Sequence, residues 1–265
     1  MKSIKENPIG IFDSGIGGTS IWSEIHTLLP LEKTIYLSDS KNAPYGQKST
    51  DQIIALAIKN TEYLLNKNCK LIVVACNTAT TNAIKYLREK YQVPFIGIEP
   101  AIKPASLKTK TKTIGILATQ GTLNSQLFAS TANNLDTSIK IIEQIGNGLV
   151  ELIENNKLIS PEMNQLLKKH LKPFIENNID HLVLGCTHYP YLIPQIKEII
   201  GSQITIIDSG EAVARQTKAI LEKNDLLSSK LNIDFQNEFY INTATEVLEH
   251  ILENKENTSI KQLDF

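Results

Sequence analysis

Short apolar runs rich in β-branched residues recur between longer stretches of helical period, and this alternation restricts the chain more than any other feature. It is the pattern of βαβ units built around a parallel sheet. Strands are predicted at residues 9–12, 34–37, 71–75, 95–98, 113–117, 139–143, 181–185, 204–207 and 239–243, with helices in most of the gaps. The clearest helix is predicted from Ser49 or Thr50, a good N-cap, to about Asn66, carrying Ile53, Ile54, Ala57, Ile58, Leu64 and Leu65 on its apolar side. A second follows Ser160, with Pro161 at its first position and Met163, Leu166, Leu167, Leu171 and Phe174 facing inward. Pro173 is expected to kink or end it.

The halves resemble one another. Gly10-Ile11-Phe12-Asp13-Ser14-Gly15 is echoed by Gly115-Ile116-Leu117-Ala118-Thr119, and each begins a unit that later reaches a cysteine at the end of a strand. Asp13 precedes Cys76 by 76 − 13 = 63 residues, and Ala118 precedes Cys186 by 186 − 118 = 68. The predicted fold class is α/β, with two similar lobes, each a mainly parallel sheet flanked by helices, and an active site in the interdomain cleft. The first lobe is expected to take residues 1–99 and 209–265 and to carry Asp13 and Cys76; the second takes 100–208 and carries Cys186 and His188.

Composition excludes several function classes. The formal net charge is −1 and the pI about 6.5, so no overall basic field exists to hold nucleic acid or an anionic membrane. The run from Lys108 to Lys112 reads as a solvated loop. Residues 1–7 contain no apolar segment of a secretory signal, and no run approaches the ~18 apolar residues of a membrane span. Three cysteines are an odd, sparse count, which suits free thiols in a reducing compartment, so the protein is expected in the cytoplasm.

Two motifs then carry the chemistry. Cys76-Asn77-Thr78-Ala79-Thr80 follows the run Leu71-Ile72-Val73-Val74-Ala75, and Cys186-Thr187-His188-Tyr189-Pro190 follows His181-Leu182-Val183-Leu184-Gly185. Ligands of open α/β sheets bind beyond the carboxyl ends of the strands, where both cysteines lie. A free Cys at a strand end is most often a small buried hydrophobe, but two in parallel contexts suggest paired thiols. A thiolate and a thiol on opposite faces of a carbon can remove a proton from one side and return one from the other. Cys69, Cys76, Cys186 and His188 lack the paired spacing of a zinc site, so no metal is expected. Cys69 reads as structural. Asp13-Ser14-Gly15-Ile16-Gly17-Gly18 is a glycine-rich turn whose backbone N–H groups favour an anion, yet it matches neither the dinucleotide nor the P-loop template. His188 is either a satisfied structural histidine or a group that tunes the nearby thiol. Ser14, Asn77, Thr78, Thr119, Thr122 and Thr187 supply hydroxyl and amide groups for a small zwitterion.

Together with Pro44-Tyr45-Gly46, these motifs resemble glutamate racemases within the aspartate/glutamate racemase superfamily, over most of the chain from Ile9 to about Arg215. Ala79-Thr80 and His188 stand where aspartate racemases tend to carry Met-His and Glu. The resemblance implies a cofactor-independent isomerase that interconverts L- and D-glutamate by two-base proton transfer and supplies D-glutamate for peptidoglycan. Cys76 and Cys186 would be the catalytic residues, exchanging the proton on the D- and L-isomer faces respectively, with Asp13 and His188 assisting them. Asp13, Ser14, Pro44, Tyr45, Gly46, Asn77, Thr78, Thr119, Thr187 and His188 would contact substrate. Glu154 matches a family glutamate, with Glu151 one helical turn away as the competing choice. The implied partners are the small-molecule substrate and a second copy of the chain, with no nucleic acid or membrane. Ser38-Asp39-Ser40 departs from the usual Gly-Asp-Thr type sequence, and Gln120-Gly121 alters a further segment.

Overall fold

Each predicted strand forms, with ends that move by at most two residues, in a computed structural model that describes residues 4–228, 236–253 and 255–265. In chain order the strands are β1 (Ile9–Asp13), β2 (Thr34–Ser38), β3 (Leu71–Val74), β4 (Phe95–Gly97), β5 (Thr113–Ala118), β6 (Lys140–Ile145), β7 (His181–Gly185), β8 (Thr205–Ile207), β9 (Asn237–Ile241) and β10 (Thr258–Gln262). They make two sheets, one ordered β10-β9-β2-β1-β3-β4 and the other β6-β5-β7-β8, and every pairing is parallel. The run β2-β1-β3-β4 has the same order as β6-β5-β7-β8, so the likeness of the two sequence halves extends to topology.

β10 has no counterpart among the sequence expectations. Thr-Ser-Ile-Lys-Gln carries little apolar signal because the strand lies at a sheet edge and is only half-buried, and main-chain pairing with β9 holds it. β9 starts two residues earlier than its apolar run. Asn237, a poor strand former, is recruited because its side-chain Oδ1 accepts hydrogen bonds from the Thr34 N–H at 3.1 Å and the Thr34 hydroxyl at 2.8 Å.

The Thr50–Asn66 helix begins with a full capping box between Ser49 and Gln52. Ser160 caps the Pro161–Glu176 helix by accepting from the Met163 N–H, and Met163, Leu167, Leu171 and Phe174 are buried as expected. Pro173 does not end it. The helix runs on to Glu176, because a proline so near the C-terminus forfeits only one backbone bond while its neighbours Leu171 and Phe174 stay anchored in the core. No described helix is long and apolar enough to cross a membrane.

Side chains alternate across each sheet. Ile9, Ile11, Leu71 and Val73 from the first sheet join Leu117, Leu182 and Leu184 from the second in one continuous apolar cluster. The opposite faces build separate cores, with Phe12, Ile72 and Val74 in one and Ile114, Ile116 and Val183 in the other. The shared cluster, completed by Trp22, Leu149, Ile153 and Tyr189, holds the two sheets together and brings the carboxyl ends of β1, β3, β5 and β7 to a common cleft.

Candidate active site

In each sheet the chain leaves the first strand toward one neighbour and later returns to pair with its other side: β1 lies between β2 and β3, and β5 between β6 and β7. Such reversals of strand order open a crevice at the carboxyl ends. Asp13 ends β1, Cys76 lies just beyond β3, Thr119 just beyond β5 and Cys186 directly after β7.

Cys76 is the N-cap of the Asn77–Lys90 helix, and its sulfur accepts the Ala79 N–H at 3.4 Å. The helix start favours a thiolate there. Burial opposes it, and with repulsion from Asp13 pushes the Cys76 thiol well above its ordinary pKa. The thiol therefore holds a proton and donates toward the Ser14 hydroxyl at 3.6 Å. Asp13 is fully buried, and desolvation raises its pKa despite the opposing pull of the His188 charge and the N–H groups of Gly18 and Ser14. Those N–H groups lie 2.6 Å and 2.7 Å from its two carboxylate oxygens.

Cys186 has a different partner. Its sulfur lies 3.8 Å from His188 Nδ1, and the other ring nitrogen is 2.6 Å from Glu154 Oε1. Burial works against a charged His188, but the hydrogen bonds with Cys186 and Glu154 overcome it and hold its pKa well above the usual histidine value. Burial likewise works against the Glu154 carboxylate and is outweighed by His188, Ser40 and the Ile16 N–H, so its pKa falls. The pair is therefore an imidazolium and a carboxylate. Gly17 N–H points at the same Nε2 from 3.3 Å, but the charged ring gives that position's proton to Glu154.

The glycine-rich turn does bind anions, but they are the protein's own carboxylates: Asp13 through Ser14 and Gly18, and Glu154 through Ile16 at 2.7 Å. A methyl group at position 15 would overlap the Glu154 carboxylate, and one at position 17 would overlap the His188 ring. Thr187 crosses the cleft to donate to Asp13 at 3.2 Å, linking the element that carries one thiol to the partner of the other.

Thr78, Thr119 and Thr122 form a triangle of hydroxyl contacts at 2.8, 3.0 and 3.3 Å that joins the two sheets. Pro44 and Gly46 line a small surface recess beside Thr119, Val150 and Glu151, with the Tyr45 side chain between them turned into the core, where its hydroxyl donates to Asp39 at 2.5 Å. Gly46 leaves no room for a side chain against Thr119, so this loop presents backbone to the cleft. Asn77 is 2% exposed, and neither its amide nitrogen nor its amide oxygen has a hydrogen-bond partner. An orphaned buried amide at this edge is a ready hand-hold for a polar ligand.

Of the residues singled out from the sequence, direct contacts join Asp13 to Ser14 and Thr187, Cys76 to Ser14, Thr78 to Thr119 and Thr122, and Cys186 to His188, while the Tyr45 side chain lies in the core. Glu154, not Glu151, reaches His188; Glu151 instead accepts from Gln47 at 2.8 Å near the surface. A cavity of about 460 Å³ at the mouth is lined by residues that include Ser40, Pro44, Glu151 and Glu154. Sequence reasoning gave Ser40 no role, although it follows β2 and its hydroxyl donates to Glu154 Oε2 at 2.7 Å. No described cluster of three or more His, Cys, Asp or Glu side chains could hold a metal. Cys69 lies away from the cleft, beneath Gly10, with burial raising its thiol pKa to about 12.

The ion pair gives stability a definite pH window. The raised His188 pKa makes its contribution complete below the unfolded value and loses it as pH climbs through the folded value. The depressed Glu154 pKa makes its contribution present above the unfolded value and loses it as pH falls through the folded one. Glu154→Gln is therefore expected to cost on the order of 3 kcal/mol near neutral pH, with the gap to wild type narrowing toward both strong acid and alkali. Thermal melts of both proteins across pH check this; a gap independent of pH would refute the pairing.

Comparison with known proteins agrees with this geometry. The Asp/Glu/hydantoin racemase family profile matches residues 19–217. A glutamate racemase of Cupriavidus pinatubonensis is 45% identical over 226 residues, 85% of this chain and 83% of that protein. Glutamate racemase isoform RacE1 of Bacillus anthracis superposes with a TM-score of 0.87 at 34% identity, covering 98% of each chain. The Escherichia coli glutamate racemase, solved with L-glutamate and the activator UDP-MurNAc-ala, gives 0.86 at 32% identity over 97% of this chain and 98% of that one. With its two matching parallel sheets and a thiol at the head of each, the chain belongs to the Asp/Glu/hydantoin racemase family.

Proposed function

We propose that the protein interconverts L- and D-glutamate without a cofactor, by two-base proton transfer between Cys76 and Cys186. The observation that carries this reading is the pairing of equivalent strand-end thiols with separate acid–base partners, Asp13 for Cys76 and the His188–Glu154 pair for Cys186. From L-glutamate, the Cys186 thiolate takes the α-proton and the electron pair left on carbon spreads into the substrate carboxylate. The Cys76 thiol then gives its proton to the opposite face, leaving D-glutamate, a Cys186 thiol and a Cys76 thiolate. The reverse reaction runs the same steps backward. His188, charged and held by Glu154, stands beside Cys186 as its acid–base partner, while Asp13 serves as the proton partner of Cys76.

Asn77, Thr78, Thr119, Thr187 and Ser14 hold the amino and carboxylate groups of the substrate, and the backbone of Pro44, Tyr45 and Gly46 reaches its side-chain carboxylate. The unpartnered Asn77 amide supports this assignment, as does the L-glutamate bound in the Escherichia coli relative. In this reading residues 1–99 and 209–265 form one lobe and 100–208 the other, and the enzyme acts in the cytoplasm as a homodimer that supplies D-glutamate for peptidoglycan.

Polarimetry on pure L-glutamate tests the activity. Full racemisation is expected with neither pyridoxal phosphate nor metal added, in the presence of a chelator, with deuterium entering the α-position in heavy water. Activity that disappears in chelator and returns with zinc would sink the proposal, as would glutamate binding with no α-exchange.

A further inference from the structure

Glu154 is held from both sides of the cleft. His188, from the element after β7, takes Oε1, while Ser40, just beyond β2, takes Oε2 at 2.7 Å. Ser38, the last residue of β2 and wholly buried, lies 3.0 Å from the Ser40 hydroxyl. An unbroken chain of contacts therefore runs from Ser38 through Ser40, Glu154 and His188 to Cys186. It starts on one sheet and ends at the thiol of the other.

The Ile16 N–H also binds Glu154, but on Oε1, the oxygen that already meets His188. Ser40 is the side chain that fixes the second oxygen, and a carboxylate held at both oxygens cannot rotate about its own axis. Without Ser40, Oε2 faces the cavity at the mouth, where water replaces the hydroxyl and the carboxylate is free to turn away from the imidazole.

We propose that Ser40 is a positioning residue for Cys186: it orients Glu154, which orients His188, and it acts only on the proton transfer at the L-isomer face. The inference rests on the two-thiol reading above. It gives Ser40, on the lobe of Cys76, control over the opposite thiol, so that Cys186 is fully supported only when the two sheets are in contact.

Isotope effects test this, because they separate the two proton transfers. The equilibrium constant of a racemisation is one, so any variant must change kcat/KM equally in both directions. The isotope effects carry no such constraint. Impairing Cys186 makes abstraction from α-deuterated L-glutamate more rate-limiting, and abstraction from the α-deuterated D-isomer less so. Ser40→Ala is expected to lower kcat/KM about tenfold, the effect of losing one hydrogen bond to a charged group, with the isotope effect rising for L-glutamate and falling for D-glutamate. Ser40→Thr, which keeps the hydroxyl, should restore both.

Loss of rate with the two isotope effects unmoved would overturn the proposal, as would a rise in KM alone, no change at all, or failure of the threonine variant to recover. His188→Asn serves as the control. If it fails to split the isotope effects in the same direction, the two-thiol reading itself falls, and this inference with it. If it splits them and Ser40→Ala does not, only the role of Ser40 falls.

Discussion

Cys76→Ser and Cys186→Ser are each expected to lower racemisation by more than ~10²-fold, the lower range for loss of a positioned acid or base. A serine hydroxyl is far less acidic than a thiol, so neither variant can present the anion that abstraction requires. The two losses should not add in the double variant, since either one already breaks the two-sided exchange. Cys69→Ala is the internal control. That thiol packs under Gly10 in the core of the six-stranded sheet, makes no polar contact in the cleft and has its ionisation suppressed by burial, so its removal should leave the rate near wild type. Steady-state polarimetry on the variants decides the matter. A Cys69 variant as slow as the other two would remove the strand-end argument on which the assignment stands.

The second large effect concerns aspartate, for which kcat/KM is expected to be at least ~10³-fold lower than for glutamate. Both amino acids share the zwitterionic head, so the difference must come from where the second carboxylate falls. A missing methylene in an apolar pocket is worth only ~1–3 kcal/mol. This cleft is not apolar at its edges. Thr78, Thr119 and Thr122 are locked in mutual contacts, Tyr45 is committed to Asp39, and both ring nitrogens of His188 are taken. Few donors remain free to adjust, and a shorter chain leaves those placed for the longer one unpaired in a buried site. Comparable rates with the two substrates would show that Ala79-Thr80 and His188 do not encode specificity, and would mark a broad-range racemase.

Much of this was legible in the sequence, for identifiable reasons. Strands buried on both faces, such as β1, β3 and β7, advertise themselves as unbroken apolar runs, and their ends place the two cysteines without further information. β10 was hidden because an edge strand needs no apolar signature. Pro173 misled because helix-breaking depends on how much helix follows. The pairing of Glu154 over Glu151 could not be read from two acids one turn apart, since only the approach of His188 distinguishes them. Ser40 was visible as a departure from a familiar pattern, but its use depends on a contact across 114 positions of sequence.

The order β10-β9-β2-β1-β3-β4 places the last-made strands beside one of the first. β2 is buried along its whole length, and its outer rim is sealed by β9, which arrives about two hundred residues later. During synthesis that rim waits, a row of unsatisfied backbone groups on an apolar ribbon, until the carboxyl-terminal segment emerges. A chain cut short before Asn237 keeps both strand-end thiols with Asp13, Glu154 and His188, loses Thr243, Ala244, Glu246 and Val247 from the mouth of the cleft, and offers this open template for strand addition. Premature termination there would yield self-associating material rather than a smaller working protein.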